Sequence, residues 1–80
     1  MRFALRNKSR LIESFGAAFC EEMIGCLKAY FTSTQDIPRY KKDGYSHEFI
    51  SVSGCGSSYQ FAIIKEQYDV LTLAYFPGKG

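Results

Sequence analysis

The sequence predicts a small α+β domain in which a strand and a helical segment precede an antiparallel sheet of three to four strands. Three observations predict it: apolar residues at helical spacing over positions 17–31, alternating apolar residues over positions 58–76, and an Asp-Gly turn signal at positions 43–44 between them. The expected order is β-α(α)-β-β-β, with the helices packed on one face of the sheet. Residues 1–80 form one domain, because a chain of this length has no room for a second core.

The N-terminal part of the chain carries the predicted helices. Residues 2–6 alternate weakly and indicate a short strand, after which Asn7 or Ser9 can cap a helix. Gly16 either separates two helices or kinks a single one. Over residues 17–31 the large apolar side chains share an arc of about 160° of the helix circumference, so this helix should pack one broad face on the sheet.

The C-terminal part carries the predicted sheet. Its strands are expected at residues 47–53, 58–65 and 68–76, joined by a loop at 53–57 and a tight connection at 66–67. The N-terminal strand is expected to pair with one of these three, which would give the fourth strand of the sheet.

The composition indicates a folded cytoplasmic protein. Charged residues make up 22% of the chain and apolar residues 46%, which is typical of a globular protein and excludes a disordered one. The longest uncharged apolar run, residues 70–77, is shorter than the roughly 20 residues of a membrane-spanning helix. Because no continuous apolar segment follows Met1, we expect no signal peptide.

The three cysteines are expected to be reduced and mostly buried, and we expect neither a metal ion nor a cofactor. Cys20, Cys26 and Cys55 cannot all pair within one chain, whereas small secreted domains usually carry an even number of cysteines. The alternative is a zinc site built from the three thiols and His47, but no C-x-x-C pair supports it.

His47, the only histidine, is the first residue to consider for catalysis. In a strand, Glu48 points to the opposite face and cannot orient the imidazole as the third member of a catalytic triad would. We therefore expect an exposed histidine at the start of a strand and predict no catalytic residues.

A basic and aromatic cluster suggests a nucleic-acid-binding function as the alternative. It mixes cations with aromatic rings, as surfaces that bind single strands do, and comprises Arg39, Tyr40, Lys41, Lys42 and Tyr45. The net charge of +2 is low for a general nucleic-acid binder. A ribonuclease would use the same cluster, with His47 as acid or base.

The element order and the patterns of residues 58–61 and 68–76 are similar in layout to RelE/HigB-like toxin domains. This resemblance implies a strand, helices and an antiparallel sheet, together with a ribonuclease activity. The chain departs from the family because it lacks the arginine-rich sheet and the basic C-terminal segment of these toxins. It carries acids there instead, among them Glu66 and Asp69.

Both faces of the predicted sheet are apolar, which is unusual for an antiparallel sheet with one solvated side. One face is expected to meet the helix and holds Ile64, Leu71, Leu73 and Tyr75. The other is expected to be exposed and to bind a partner through Tyr59, Phe61, Ile63, Val70 and Thr72. Periodicity separates the two sets without deciding which one points inward, so the reverse assignment stays open. The helical segment is long enough to cover only one of the two.

These patterns favour a non-catalytic protein-binding module whose exposed sheet face docks onto another protein or onto a second copy of the chain. Its small size suits a regulator or an inhibitor, of the kind encoded by a phage or another mobile element. The nucleic-acid-binding alternative requires the basic residues of segments 1–10 and 39–42 to converge on one surface. The protein-binding hypothesis does not require this convergence.

Overall fold

The computed structural model describes residues 2–33, 36–54 and 56–77, which form two helices and five strands. In chain order these are β1 Arg2–Leu5, α1 Lys8–Phe15, α2 Ala17–Ser33, β2 Tyr40–Lys41, β3 Glu48–Gly54, β4 Ser57–Gln67 and β5 Val70–Phe76. The predicted α+β class and the helices on one sheet face are confirmed, although the sheet has five strands and not three to four. Neither helix is long and apolar enough to span a membrane.

The strands lie in the order β1-β5-β4-β3-β2, so β1 and β2 are the two edges of the sheet. β1 runs parallel to β5, with Phe3 opposite Leu71 and Leu5 opposite Leu73. The other three pairings are antiparallel. The helices therefore carry the chain from one edge of the sheet to the other. β2 was not predicted because a strand of two residues is too short to show a periodicity.

The turn between β4 and β5 lies two residues later than predicted, at Tyr68 and Asp69. Both residues have positive φ angles, 55° and 63°, and Gln67 pairs with Val70 across the turn. This is the geometry of a two-residue type I′ hairpin, for which Asn-Gly and Asp-Gly are the usual sequence signals. Tyr-Asp is not such a signal, and the prediction therefore read Tyr68 and Asp69 as part of the strand.

A β-bulge at Ile64 decides which residues of β4 face the helices. Lys65 pairs with Thr72 but Ile63 pairs with Leu73, so Ile64 is an extra residue in β4. Because side chains alternate between faces, one extra residue transfers the preceding part of the strand to the other side of the sheet. The expected grouping of Tyr59, Phe61 and Ile63 with Val70 and Thr72 on one face is therefore wrong.

Gly16 separates two helices, which resolves the alternative that the sequence left open. Its φ angle of 93° lies in a region that side chains rarely adopt, and its N–H closes α1 by donating to the carbonyl of Ile12 at 2.8 Å. Asn7 stands at the N-terminus of α1 in a left-handed conformation, without the side-chain capping bond that was expected.

The core lies between the helices and one face of the sheet. α1 contributes Leu11, and α2 contributes Cys20, Met23, Cys26, Leu27 and Phe31. The sheet contributes Ile50, Val52, Tyr59, Phe61, Ile63, Leu71 and Leu73. Burial of Cys20 and Cys26 agrees with expectation, whereas Cys55 lies outside the described residues. At Gly54 a Cβ atom would lie 2.7 Å from Sγ of Cys26, so glycine permits the close approach of α2 to β3.

We expect Phe61→Ala to lower the free energy of unfolding by about 3–5 kcal/mol, because it removes a fully buried ring from the core. Thr72→Ala, on the opposite face of the sheet, should cost about 1 kcal/mol or less. Urea unfolding of both variants followed by circular dichroism measures the difference. A larger loss for Thr72→Ala than for Phe61→Ala would contradict this assignment of the faces.

Candidate functional site on the uncovered sheet face

The sheet face turned away from the helices carries small apolar side chains. Cross-strand pairing of Ala74 with Ala62, and of Ala4 with Thr72, places these residues on one side, opposite to the core. We call this surface the free face and define it by Ala4, Ala62, Val70, Thr72 and Ala74. Ala4 is exposed and the other four are half-buried. Because the side chains are short, another surface can approach the backbone of the sheet closely.

One end of the free face is covered by an aromatic cluster, which we call the aromatic corner. Phe49 is only 2% exposed although its pairing with Ala62 places it on this side. The rings of Tyr40, Tyr45 and Phe76 lie 5.9, 5.5 and 5.1 Å from that of Phe49. Lys42 Nζ lies 5.8 Å from the Phe49 ring and 5.3 Å from that of Phe76, within the range of cation–π attraction.

The charged strand residues on this side of the sheet are basic. Arg2 pairs with Val70 and Lys65 pairs with Thr72, so both exposed side chains flank the free face. Among the described strand residues, the acids Glu48 and Glu66 belong to the opposite side, since each alternates with a residue of the free side. An apolar centre with a basic rim is therefore presented to solvent.

Arg39 forms ion pairs with both Glu48 and Glu66 on the helix side of the sheet. Its Nη1 atom donates to Glu66 Oε1 at 2.9 Å and lies 3.7 Å from Glu48 Oε1. The hydrogen bond to Glu66 is the main cause of the raised pKa of Arg39, and it also lowers the pKa of Glu66. Arg39 is thus engaged with carboxylates and is not presented alone to an external anion.

The residues proposed for nucleic-acid binding are placed in different environments. Arg39 holds two carboxylates, while Lys42 and the rings of Tyr40 and Tyr45 form the aromatic corner. The Tyr40 hydroxyl lies 3.0 Å from that of Ser51. Lys41 remains exposed. The cluster is therefore not one continuous cationic surface.

The two basic segments also lie at opposite edges of the sheet. Residues 2–6 belong to or follow β1, whereas residues 39–42 surround β2. Four strand spacings of roughly 4.8 Å separate these edges by about 19 Å. Arg2 and Lys42, one from each segment, lie on the same side of the sheet but at its opposite edges, so the two segments share a face without forming one compact cationic surface. His47 is exposed just before β3.

The five residues proposed for partner binding are divided between the two faces. Val70 and Thr72 lie on the free face, but Phe61 is 0% exposed and Tyr59 and Ile63 are nearly as inaccessible, beneath the helices. The expectation that these three are exposed is therefore wrong. Leu71, Leu73 and Tyr75 face the helices as expected, whereas Ile64 is the bulge residue and lies outside the core.

Tyr59 illustrates the enclosure of this face. Its hydroxyl donates to Glu22 Oε2 of α2 at 3.4 Å. Burial raises the pKa of the phenol, and the nearby Glu22 carboxylate raises it further. The side chain thus connects the sheet to the helix layer.

Sequence reasoning placed Val70 and Thr72 on one face, as the structure does, but did not assign Ala4 or Ala62 to it. Ala4 and Ala62 carry no signal of their own, Lys65 was not associated with any surface, and Arg2 entered only as one of the basic residues of segment 1–10. Only the bulge and the pairing of β1 with β5 bring them together. Within the described part of the chain, no group of three or more His, Cys, Asp or Glu side chains could hold a metal ion.

No protein-family model, curated protein or solved structure gives a significant match to this chain. The resemblance to RelE/HigB-like toxins therefore depends on the element order and strand pattern alone. The structure has the strand, two helices and sheet in that order.

We expect Arg39→Met to raise the pKa of Glu66 towards its ordinary value of 4.5, because the mutation removes the hydrogen bond that stabilises the carboxylate. A depressed native pKa stabilises the fold above the unfolded pKa, and that contribution is lost as the pH falls through the native value, below 4.5. NMR titration of the Glu66 carboxyl carbon measures the change. Lys41→Met is the control, and an equal shift in both variants would exclude a specific pair.

Proposed function

We propose that this domain is a non-catalytic protein-binding module that docks through its free face. The observation that carries the proposal is the flat apolar surface of Val70, Thr72 and Ala74, which neither helix covers. Exposed apolar surface with a polar rim is typical of interaction sites on small soluble domains. The proposal keeps Val70 and Thr72 from the sequence prediction and replaces the three residues that lie in the core.

The basic rim indicates the chemistry of the partner. Arg2 and Lys65 flank the apolar centre, and no acidic strand residue among those described accompanies them on this side. A partner with an apolar centre and an acidic rim would complement this surface, and such complementarity suppresses incorrect partners. A second copy docked face to face would bring two basic rims together, so a different protein suits the surface better.

A regulator or an inhibitor is the form of activity that such a module supports. A domain of this size acts by occupying the surface of a larger protein, and the apolar centre would supply most of the binding energy. The rim charges would mainly accelerate association and make it sensitive to salt.

Nucleic-acid binding is the weaker candidate. Its residues are dispersed between a carboxylate network and the aromatic corner, and the two basic segments lie at opposite edges of the sheet. Lys41, His47 and the half-exposed ring of Tyr45 are groups of that set that remain accessible. A nucleic acid recovered as the bound species would favour this alternative and contradict the protein-binding proposal.

We expect Thr72→Glu to weaken binding of the partner by about tenfold or more, because it places a carboxylate in the apolar centre and opposite an acidic rim. The partner is first captured from the native host, identified and purified, and its affinity is then measured by calorimetry. Ala18→Glu is the matched control, since it adds the same charge at an exposed position of α2.

Thermal unfolding of both variants establishes that each is folded before the affinities are compared. Equal affinities of the wild type and Thr72→Glu, with Ala18→Glu weakened, would move the site to the helix layer and contradict the proposal. Sedimentation of the wild type should show a monomer. A dimer dissociated by Thr72→Glu would assign the free face to a second copy.

A further inference from the structure

The outer edge of β1 carries backbone groups that are not used within the sheet. The Arg2 N–H donates to the Asp69 carbonyl at 3.1 Å, and the Arg6 N–H donates to the Leu73 carbonyl at 2.8 Å. Successive residues of a strand direct their N–H and C=O groups to opposite edges. Those of Phe3 and Leu5 therefore point away from β5, where the described residues place no further strand.

A groove accompanies this edge on the helix side of the sheet. It lies between β1 and α2, has a volume of about 380 Å³ and is lined by Arg2, Phe3, Lys28, Phe31 and Thr32. The rings of Phe3 and Phe31 stack with their centres 5.2 Å apart and supply the apolar part of the lining. A side chain projecting from a strand beside β1 on this side would enter the groove.

The surroundings of the edge are basic. Arg2 and Lys28 are exposed, and among the described residues neither belongs to an ion pair. Arg6 follows the other end of β1 and is also exposed. At the opposite edge, by contrast, Arg39 is held by Glu48 and Glu66. Lys41 at the opposite edge also has no ion pair among the described residues, so it is the grouping of Arg2, Arg6 and Lys28 around β1 that makes this edge suited to an acidic ligand.

We propose that the β1 edge accepts an extended peptide segment of another protein in which apolar and acidic residues alternate. Backbone hydrogen bonds to Phe3 and Leu5 hold the segment as a sixth strand of the sheet, a recognised mode of peptide binding. Its apolar side chains enter the groove against Phe3 and Phe31. Its acidic side chains lie on the other side of the sheet, beside Arg2.

The charge of the edge also argues against a second copy as the occupant. An antiparallel pair of β1 strands would bring Arg2 of one molecule towards Arg6 of the other, and like charges across a strand pair are destabilising. The inference is independent of the proposed function, because it concerns the edge of the sheet and not its free face. Binding at the edge can therefore fail while docking at the free face succeeds.

The test uses the whole chain and a short blocked peptide in which Glu and Val alternate. We expect saturable binding that shifts the backbone amide signals of Phe3 and Leu5 in NMR spectra, because their N–H groups acquire acceptors. The corresponding Lys and Val peptide should bind about tenfold more weakly or not at all. Methylation of the peptide nitrogens whose N–H groups point towards β1 should abolish binding, because these groups can then no longer donate hydrogen bonds to the strand. Methylation of the alternate nitrogens, which point away from β1, should not.

Charge reversal in the protein provides the matched comparison. Arg2→Glu should lower the affinity for the Glu and Val peptide by about tenfold, whereas Lys41→Glu at the opposite edge should leave it unchanged. Arg6→Glu, at the other end of β1, replaces Arg2→Glu if the latter fails to fold. Equal affinity for both peptides, or amide shifts centred on Thr72 and Ala74, would overturn the proposal. Concentration-dependent shifts of Phe3 and Leu5 without peptide would assign the edge to a second copy and overturn it as well.

Discussion

The register between β4 and β5 is the constraint on which the rest of this structure depends. The bulge at Ile64 allows Phe61 and Ile63 to lie on the same side as Leu71, Leu73 and Tyr75. In a regular hairpin closed by the same turn, Phe61 would lie on the side of Thr72. The large side chains would then be divided between the two faces, and a single helix layer would leave half of them exposed. With the bulge, one layer suffices for the whole core.

The two sides of the sheet differ in chemistry as a consequence. The helix side collects the large apolar residues and, at its margin, the carboxylates held by Arg39. The other side has short side chains at its centre, rings packed under Lys42 at one corner and basic residues at the rim. Exposing the free face to water costs an isolated domain little free energy, because each short side chain exposes little apolar area.

The free face and the β1 edge meet at Arg2. This residue flanks the free face and is the first residue of β1. The two surfaces call for different ligands, since the face suits a folded partner and the edge suits an extended segment. A single protein could supply both, with an acidic strand adjoining an apolar surface. The basic groups around them would then act on association with either element.

The sequence by itself determined the features that depend on neighbouring residues. Side-chain spacing and local backbone preference give the apolar arc of α2, the turn at Asp43 and Gly44 and the order of the main elements, whereas they left open whether Gly16 ends a helix or kinks one. The tertiary structure decided the parallel pairing of β1 with β5, the short edge strand β2 and the bulge at Ile64. Each of these depends on contacts between residues distant in the chain or on a turn without glycine, and none leaves a periodic pattern. The faces of the sheet, and hence the candidate site, were set at this second level because one inserted residue exchanges them.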